Sequence, residues 1–314
     1  MPTPTVTGMT TQTSEAAVPG QQAVDLPLPV VGSLSPSRAG DFMTCPLLFR
    51  YRTIDRLPQA PSSAATRGTL VHSVLERLFD LPAAQRTPDA AAALLEPEWD
   101  RLKQAEPEVA SLFADEAELA SWLSSAKGLL DGYFSLEDPR RLDPAEREAF
   151  VEVTLPTGLR LRGIVDRLDV APSGDLRVVD YKTGRAPGEA YEAKALFQMK
   201  FYALVLWRTR GVIPRRLQLM YLGDREVLQY SPDEADLLAT ERKLSALWEA
   251  IERATARREF LPRRSGLCGW CDHQALCPEF GGAVLPWPEV VPGPEALSPH
   301  HERHLAAQAA VPSA

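Results

Sequence analysis

Four cysteines divide this chain in a way that few folds can satisfy. Cys45 stands alone near the start, and Cys268, Cys271 and Cys277 follow as C-x2-C-x5-C near the end. Three thiols so close together on a turn-rich stretch can converge on one metal centre, and a four-thiolate shell then needs a ligand from far away. Cys45 is the remaining candidate, so the beginning of the fold is expected to return and meet its end. Disulfides are the competing explanation. The N-terminal residues lack a basic segment followed by an apolar one, and nothing in the sequence approaches a transmembrane span. The chain is therefore expected in the cytoplasm, where thiols stay reduced. Spacing alone leaves zinc and an iron–sulfur cluster open, with a trio plus a remote cysteine leaning towards iron–sulfur.

Composition narrows the class. The 34 basic and 42 acidic residues give a net charge of −8, which excludes a generally polybasic nucleic-acid binder but not one with locally concentrated arginines. No G-x-x-x-x-G-K-S/T phosphate loop is present, so the chain is not expected to drive its own ATP-powered motor. Residues 1–32 and 284–314 are rich in Pro, Ala, Thr and Ser with weak periodicity and are expected to be disordered tails around one domain at 33–283.

Within that domain, Ser35-Pro36 marks a helix start that carries Phe42, Cys45 and Leu48-Phe49-Arg50-Tyr51. A second helix is expected after Arg67-Gly68-Thr69, through Leu70, Val71, Val74, Leu75 and Leu78 at three- and four-residue spacing. Further helices fill the helical part at about 36–135. The pattern then turns to strands in a core at about 147–230: residues 150–155, a turn at Pro156-Thr157-Gly158, residues 159–170, a turn at Pro172-Ser173-Gly174, and Leu176–Lys182. A helix at about 190–210, strands at about 215–222 and 226–230, a long helix at about 232–257 and the cysteine loop complete an α/β fold.

Asp166 and the tripeptide Asp180-Tyr181-Lys182 carry the chemistry. The hairpin between them can bring the two aspartates to neighbouring strand ends, where like charges are tolerable if they share a hard divalent cation. Asp180 and Lys182 are two apart in a strand and emerge on one face, placing an ammonium group beside that cation site. Such a pair can activate water and stabilise charge developing on a phosphate. Asp169 is expected to be structural, Glu76 is read as part of a solvated helix face, and Glu152 is given no role.

Taken in order, Gly68-Thr69-Leu70-Val71-His72, Gly163-Ile164-Val165-Asp166-Arg167-Leu168-Asp169, Val179-Asp180-Tyr181-Lys182-Thr183-Gly184 and Gln198-x3-Tyr202 resemble the RecB-type branch of the PD-(D/E)XK nucleases. One cysteine before the core and three after it are similar to the iron–sulfur members, the CRISPR-associated RecB-type nucleases and the AddAB-type nuclease domains. The resemblance implies a restriction-endonuclease-like core, a mixed central sheet flanked by helices, with an N-terminal helical insertion. It implies Mg2+ or Mn2+ held by His72, Asp166, Asp180 and the Tyr181 backbone carbonyl. Lys182 would be the catalytic lysine, with Gln198 and Tyr202 positioning it or the DNA. Cys45, Cys268, Cys271 and Cys277 would hold a 4Fe–4S cluster. The implied activity is a DNA exonuclease on single strands or ends, in recombination, repair or CRISPR-type processing, partnered by a helicase in trans and not by a membrane. An inactive DNA-binding subunit and a site-specific endonuclease are the alternatives. Arg50, Arg52 and Arg56, with Arg257, Arg258, Arg263 and Arg264, are expected to gather beside the cysteine site and attract phosphates. Trp270 is expected to cover that site rather than stack on a base.

Overall fold

The computed structural model of the chain describes residues 32–188 and 192–289. The expected tails thus lie mostly outside the described residues. At the C-terminal boundary, however, Leu285 and Trp287 pack against the core and Arg50 Nη2 donates to the Leu285 and Pro286 carbonyls at 2.8 and 2.7 Å, past the limit expected at 283.

Strand β1 (Ser33–Leu34) leads into α1 (Pro36–Thr44), whose N-cap is Ser35, accepting from Arg38 N. The single helix expected from here to Tyr51 is broken. Cys45 is extended, at φ −158° and ψ 115°, and α2 (Pro46–Phe49) and a π-helical turn (Arg50–Ile54) follow. The reason is Pro46, whose ring disfavours helical backbone in the residue before it. The same rule acts on Cys277, extended before Pro278.

Helix α3 (Ser63–Leu78) is capped by Ser62 and begins before Gly68, not after it. Helices α4 (Pro88–Ala93), α5 (Leu95–Ala105) and α6 (Glu116–Leu136) complete the helical part. Strands β2 (Glu146–Thr154), β3 (Arg160–Val170) and β4 (Leu176–Lys182) form two hairpins; β2 starts four residues before its expected boundary. After α7 (Glu192–Arg210) come β5 (Arg216–Tyr221), β6 (Glu226–Tyr230) and α8 (Glu234–Arg257).

The six strands make one mixed sheet in the order β1-β3-β4-β5-β6, with β2 on the other edge of β3. Pairs β1·β3 and β4·β5 are parallel and the others antiparallel. Helices cover both faces, so β4 is buried on both sides, Asp180 included. Alternation assigns its residues: Leu176 and Val178 join the core under α7 and α8, whereas Val179 and Tyr181 join the core under α3 to α6. Helix α7 is apolar nearly all round, with Met199 and Phe201 through Leu206 buried, because it lies between the sheet and other helices.

Candidate active site

The site forms where β3 and β4 part. Their ladder pairs Arg167 with Val179 and goes no further. Beyond that point the backbone of Tyr181 faces β3 without a strand partner, and two predicted residues take its place. The Tyr181 N–H donates to Asp166 Oδ2 at 2.7 Å, and His72 Nε2 donates to the Tyr181 carbonyl at 2.9 Å. His72 Nδ1 in turn lies 3.4 Å from Asp166 Oδ2. Helix α3, strand β3 and strand β4 are therefore tied together by these three residues.

Asp180 and Lys182 face α7, as alternation requires, and α7 supplies Gln198. Its Oε1 accepts from Lys182 Nζ at 2.9 Å, and its Nε2 donates to Asp180 Oδ1 at 2.9 Å and to the Tyr202 hydroxyl at 3.1 Å. Lys182 Nζ also pairs with Asp180 Oδ2 at 2.6 Å. Gln198 and Tyr202 are one turn apart, so one helical face holds both ends of this chain of contacts. Gly163 on β3 makes room for it: a Cβ there would stand 2.6 Å from Tyr202 Cε1. His72, Asp166, Asp180, Tyr181, Lys182, Gln198 and Tyr202 line one cleft of about 1100 Å³.

Glu148 is the residue that the sequence reasoning missed. It lies opposite Asp166 across β2 and β3, at a position where the ladder skips its pair, and its φ of 43° is in the left-handed region. Its carboxylate is 3.8 Å from His72 Nδ1. Like charges directly opposite on neighbouring strands are unfavourable, and a non-glycine residue at positive φ adds strain of order 1 kcal/mol. The signal was available: counting back from the turn at Pro156–Gly158 puts Glu148 against Asp166.

One ligand atom each from His72, Glu148 and Asp166 lies within 4.8 Å of the others, a spacing suited to a single cation. The electrostatics point the same way. Burial opposes charge on His72, but the carboxylates of Asp166 and then Glu148 and Asp180 outweigh it and raise its pKa to about 9. Burial raises Asp166 to about 8, with His72 opposing and Asp180 and Glu148 assisting. For Lys182, burial works against the charge, but Asp180 and Asp166 more than compensate and hold its pKa up, keeping it an ammonium. The buried Asp180 Oδ2 has no hydrogen-bond donor in good geometry beyond its ion pair with Lys182. This donor set, oxygen-rich with one imidazole, fits a hard divalent cation.

Behind the site, Arg167 is fully buried. It donates to both Glu137 oxygens, to the Tyr181 hydroxyl at 2.7 Å and to Asp169, which also binds Arg177. Asp169 is thus the structural carboxylate expected of it. Glu152 pairs with Arg162 at 3.0 Å on the far part of the hairpin.

The cysteines meet as the sequence requires. Cys45, Cys268, Cys271 and Cys277 line one cavity of about 60 Å³ between the α1–α2 junction and the C-terminal loop, and all four thiols are free. The Arg263 N–H donates to Cys45 Sγ at 3.4 Å and the Ser265 N–H to Cys268 Sγ at 3.3 Å.

Two expectations about their surroundings fail. Trp270 does not cover the cavity: it is 86 % exposed and absent from the lining. The arginines do not form a free phosphate patch. Arg50 is buried against Asp55 at 3.0 Å, Arg52 pairs with Asp41 at 2.9 Å, and Arg264 pairs with Glu279 at 3.8 Å. Asp41 and Glu279 meet their arginines only once the chain has folded, whereas Asp55 caps the same helical turn as Arg50. Arg263 donates to the Met43 carbonyl while lining both the cysteine cavity and the catalytic cleft.

Residues 33–278 match the family model of the PD-(D/E)XK nuclease superfamily. The chain belongs to that superfamily. Among known proteins it is similar to the Gene 69 protein of Mycobacterium phage D29, 25% identical over 277 residues that cover 78% of this chain and 96% of that protein. The Gene 69 protein of Mycobacterium phage L5 is 29% identical over 126 residues, 39% of this chain and 41% of that one. The crystal structure of a "Putative exonuclease" from Eubacterium rectale superposes with a TM-score of 0.51 at 14% identity, covering 83% of this chain and 91% of that one. That likeness shows the shared fold: a mixed sheet flanked by helices. Among the described residues, no helix is long and apolar enough to cross a membrane.

Proposed function

We propose that this protein is a Mg2+- or Mn2+-dependent deoxyribonuclease that degrades single-stranded DNA or DNA ends as an exonuclease, on one nuclease domain that begins at residue 33 and extends past the expected limit of 283 to include Trp287. The observation that carries the proposal is the meeting of His72, Glu148, Asp166, Asp180 and Lys182 in one cleft beside Gln198 and Tyr202. His72, Glu148 and Asp166 would hold the cation, with Asp180 and the Tyr181 carbonyl bordering it. A divalent cation bound there supplies Lewis-acid polarisation of the scissile phosphate and makes water nucleophilic at neutral pH.

The chain's own residues do the rest. Lys182, kept protonated by Asp180, offers a fixed positive charge to the phosphate as negative charge builds on it. Gln198 holds that ammonium by one amide atom and Asp180 by the other, so the two groups act at a set spacing. Tyr202 anchors the Gln198 amide in turn. The name "Putative exonuclease" borne by the Eubacterium rectale protein agrees with this action, and we propose that this chain works with a helicase partner in trans during recombination, repair or CRISPR-type processing.

For the cysteine site we propose a 4Fe–4S cluster acting as a structural clasp. The four cysteines line one cavity, and their order, one before the nuclease core and three after it, is the ground for choosing the cluster over zinc. The test of the activity is digestion of labelled linear and circular single strands with Mg2+ or Mn2+. Loss of the linear strand from its ends supports an exonuclease. Equal cutting of the circle supports an endonuclease, and no cutting of either overturns the proposal.

A further inference from the structure

We propose that Trp270 is a stacking platform on which the bases of a single nucleic-acid strand rest as the strand runs along the rim of the catalytic cleft; this rests on the nuclease function proposed above. A folded chain rarely leaves its largest apolar side chain so open, and at 86 % exposure Trp270 is the most exposed of the large hydrophobic residues in the described part of the chain. The backbone that carries it is held in a defined turn. Cys268 and Cys271, which line the cysteine cavity, bracket it in a single 3-10 turn. Its N–H donates to the Leu267 carbonyl at 3.0 Å, that of Cys271 to the Cys268 carbonyl at 3.2 Å, and the Gln274 side chain to the Cys268 carbonyl.

The turn also sits where a strand would pass. Leu267, three residues before Trp270, lines the catalytic cleft together with Arg263 and Ser265. Lys243, over the Phe197 ring, adds a second cation to that wall of the cleft. Arg264, paired with Glu279 at 3.8 Å but still 68 % exposed, lies against the half-exposed Phe280 ring nearby in sequence. Cations that follow a phosphate backbone, flanked by aromatic faces open to bases, are the elements that hold a single strand without reading its sequence. Of the four acids that line the cleft, Glu148, Asp166 and Asp180 belong to the cation site, so the cations Lys243 and Arg263 in the rest of the lining favour a polyanion over an acidic protein surface.

The test is binding of fluorescein-labelled single strands, from dinucleotides to about twelve nucleotides, by the full chain in EDTA. Trp270→Ala should weaken the longer strands by about 5- to 150-fold, the effect of one lost stacked base, and leave dinucleotides and duplex nearly unchanged. Trp270→Phe should recover most of the affinity. Metal content of the cysteine site and melting temperature should match the native chain in both variants. Native affinity in Trp270→Ala for the long strands would overturn the proposal. So would an equal loss at every length, or a change of oligomeric state that shows the patch to be a protein contact. If native protein cleaves single strands yet Trp270→Ala binds normally, only the platform is wrong; if native protein cleaves nothing, the nuclease proposal itself falls.

Discussion

Replacing Gln198 by alanine should separate positioning from chemistry at this site. The side chain makes three hydrogen bonds: from Lys182 at 2.9 Å, to Asp180 at 2.9 Å and to Tyr202 at 3.1 Å. Two partners are charged, and bonds to charged groups are worth about 1.5–3 kcal/mol each. Lys182 and Asp180 retain one another at 2.6 Å, however, and the cleft is roomy enough for water to enter. The stability loss should therefore be near the low end, about 1.5–2 kcal/mol in total. The larger effect falls on rate. With Gln198 gone, only Asp180 restrains the ammonium relative to the phosphate, and small misplacements of a catalytic group cost up to about 100-fold. We expect kcat on single strands to fall by about 10- to 100-fold with KM within about threefold of native, measured in Mg2+ and in Mn2+. Cation affinity should hold, because Gln198 touches none of His72, Glu148 and Asp166. Combined with Lys182→Ala, the substitution should add nothing, since both act through the same ammonium. A native kcat, or a further loss on top of Lys182→Ala, would refute this chain of positioning.

Two other outcomes follow. The pKa values of His72 and Asp166 are both raised by folding, to about 9 and about 8, so the cation-free folded state binds more protons than the unfolded chain. The stability these groups contribute is full below their unfolded values, 3.8 for Asp166 and 6.5 for His72, and is gone once pH passes about 8 and about 9, so the melting temperature of cation-free protein should lose this contribution progressively from about pH 4 to about pH 9; saturating Mn2+ should abolish the loss above neutral pH, and a melting temperature that rises between about pH 7 and 9 without cation would contradict the assignment. Cys45→Ala should strip iron from anaerobically purified protein and lower its melting temperature sharply, because a cross-link closing more than 200 residues is worth on the order of 5 kcal/mol in the chain-entropy model; unchanged stability, or colourless native protein loaded with zinc, would count against the cluster as clasp.

What was legible in the sequence was whatever depended on order and spacing along the chain. His72, Asp166, Asp180, Lys182, Gln198 and Tyr202 stand in one cleft because their motifs follow each other on successive elements of one sheet and its flanking helices. The meeting of Cys45 with the C-terminal trio was implied by the count of four. The break at Cys45 was also written there, in Pro46, but helical periodicity across the junction hid it. Glu148 required strand register, which is known only after the hairpin turn is placed. The failures over Arg50, Arg52 and Trp270 have a different cause. Exposure and ion pairing depend on what the rest of the chain brings alongside, and neither Asp41 beside Arg52 nor the open side of Trp270 follows from neighbours in sequence.

The most direct test of the central claim is single-turnover cleavage of an end-labelled single strand by native protein, Asp180→Asn and Lys182→Ala, with strand affinity measured in parallel. The account predicts metal-dependent cleavage by the native chain and none detectable in either variant, while both bind the strand within a few-fold of native. Cleavage at the native rate by either variant, or a native protein inert in both Mg2+ and Mn2+, would contradict it.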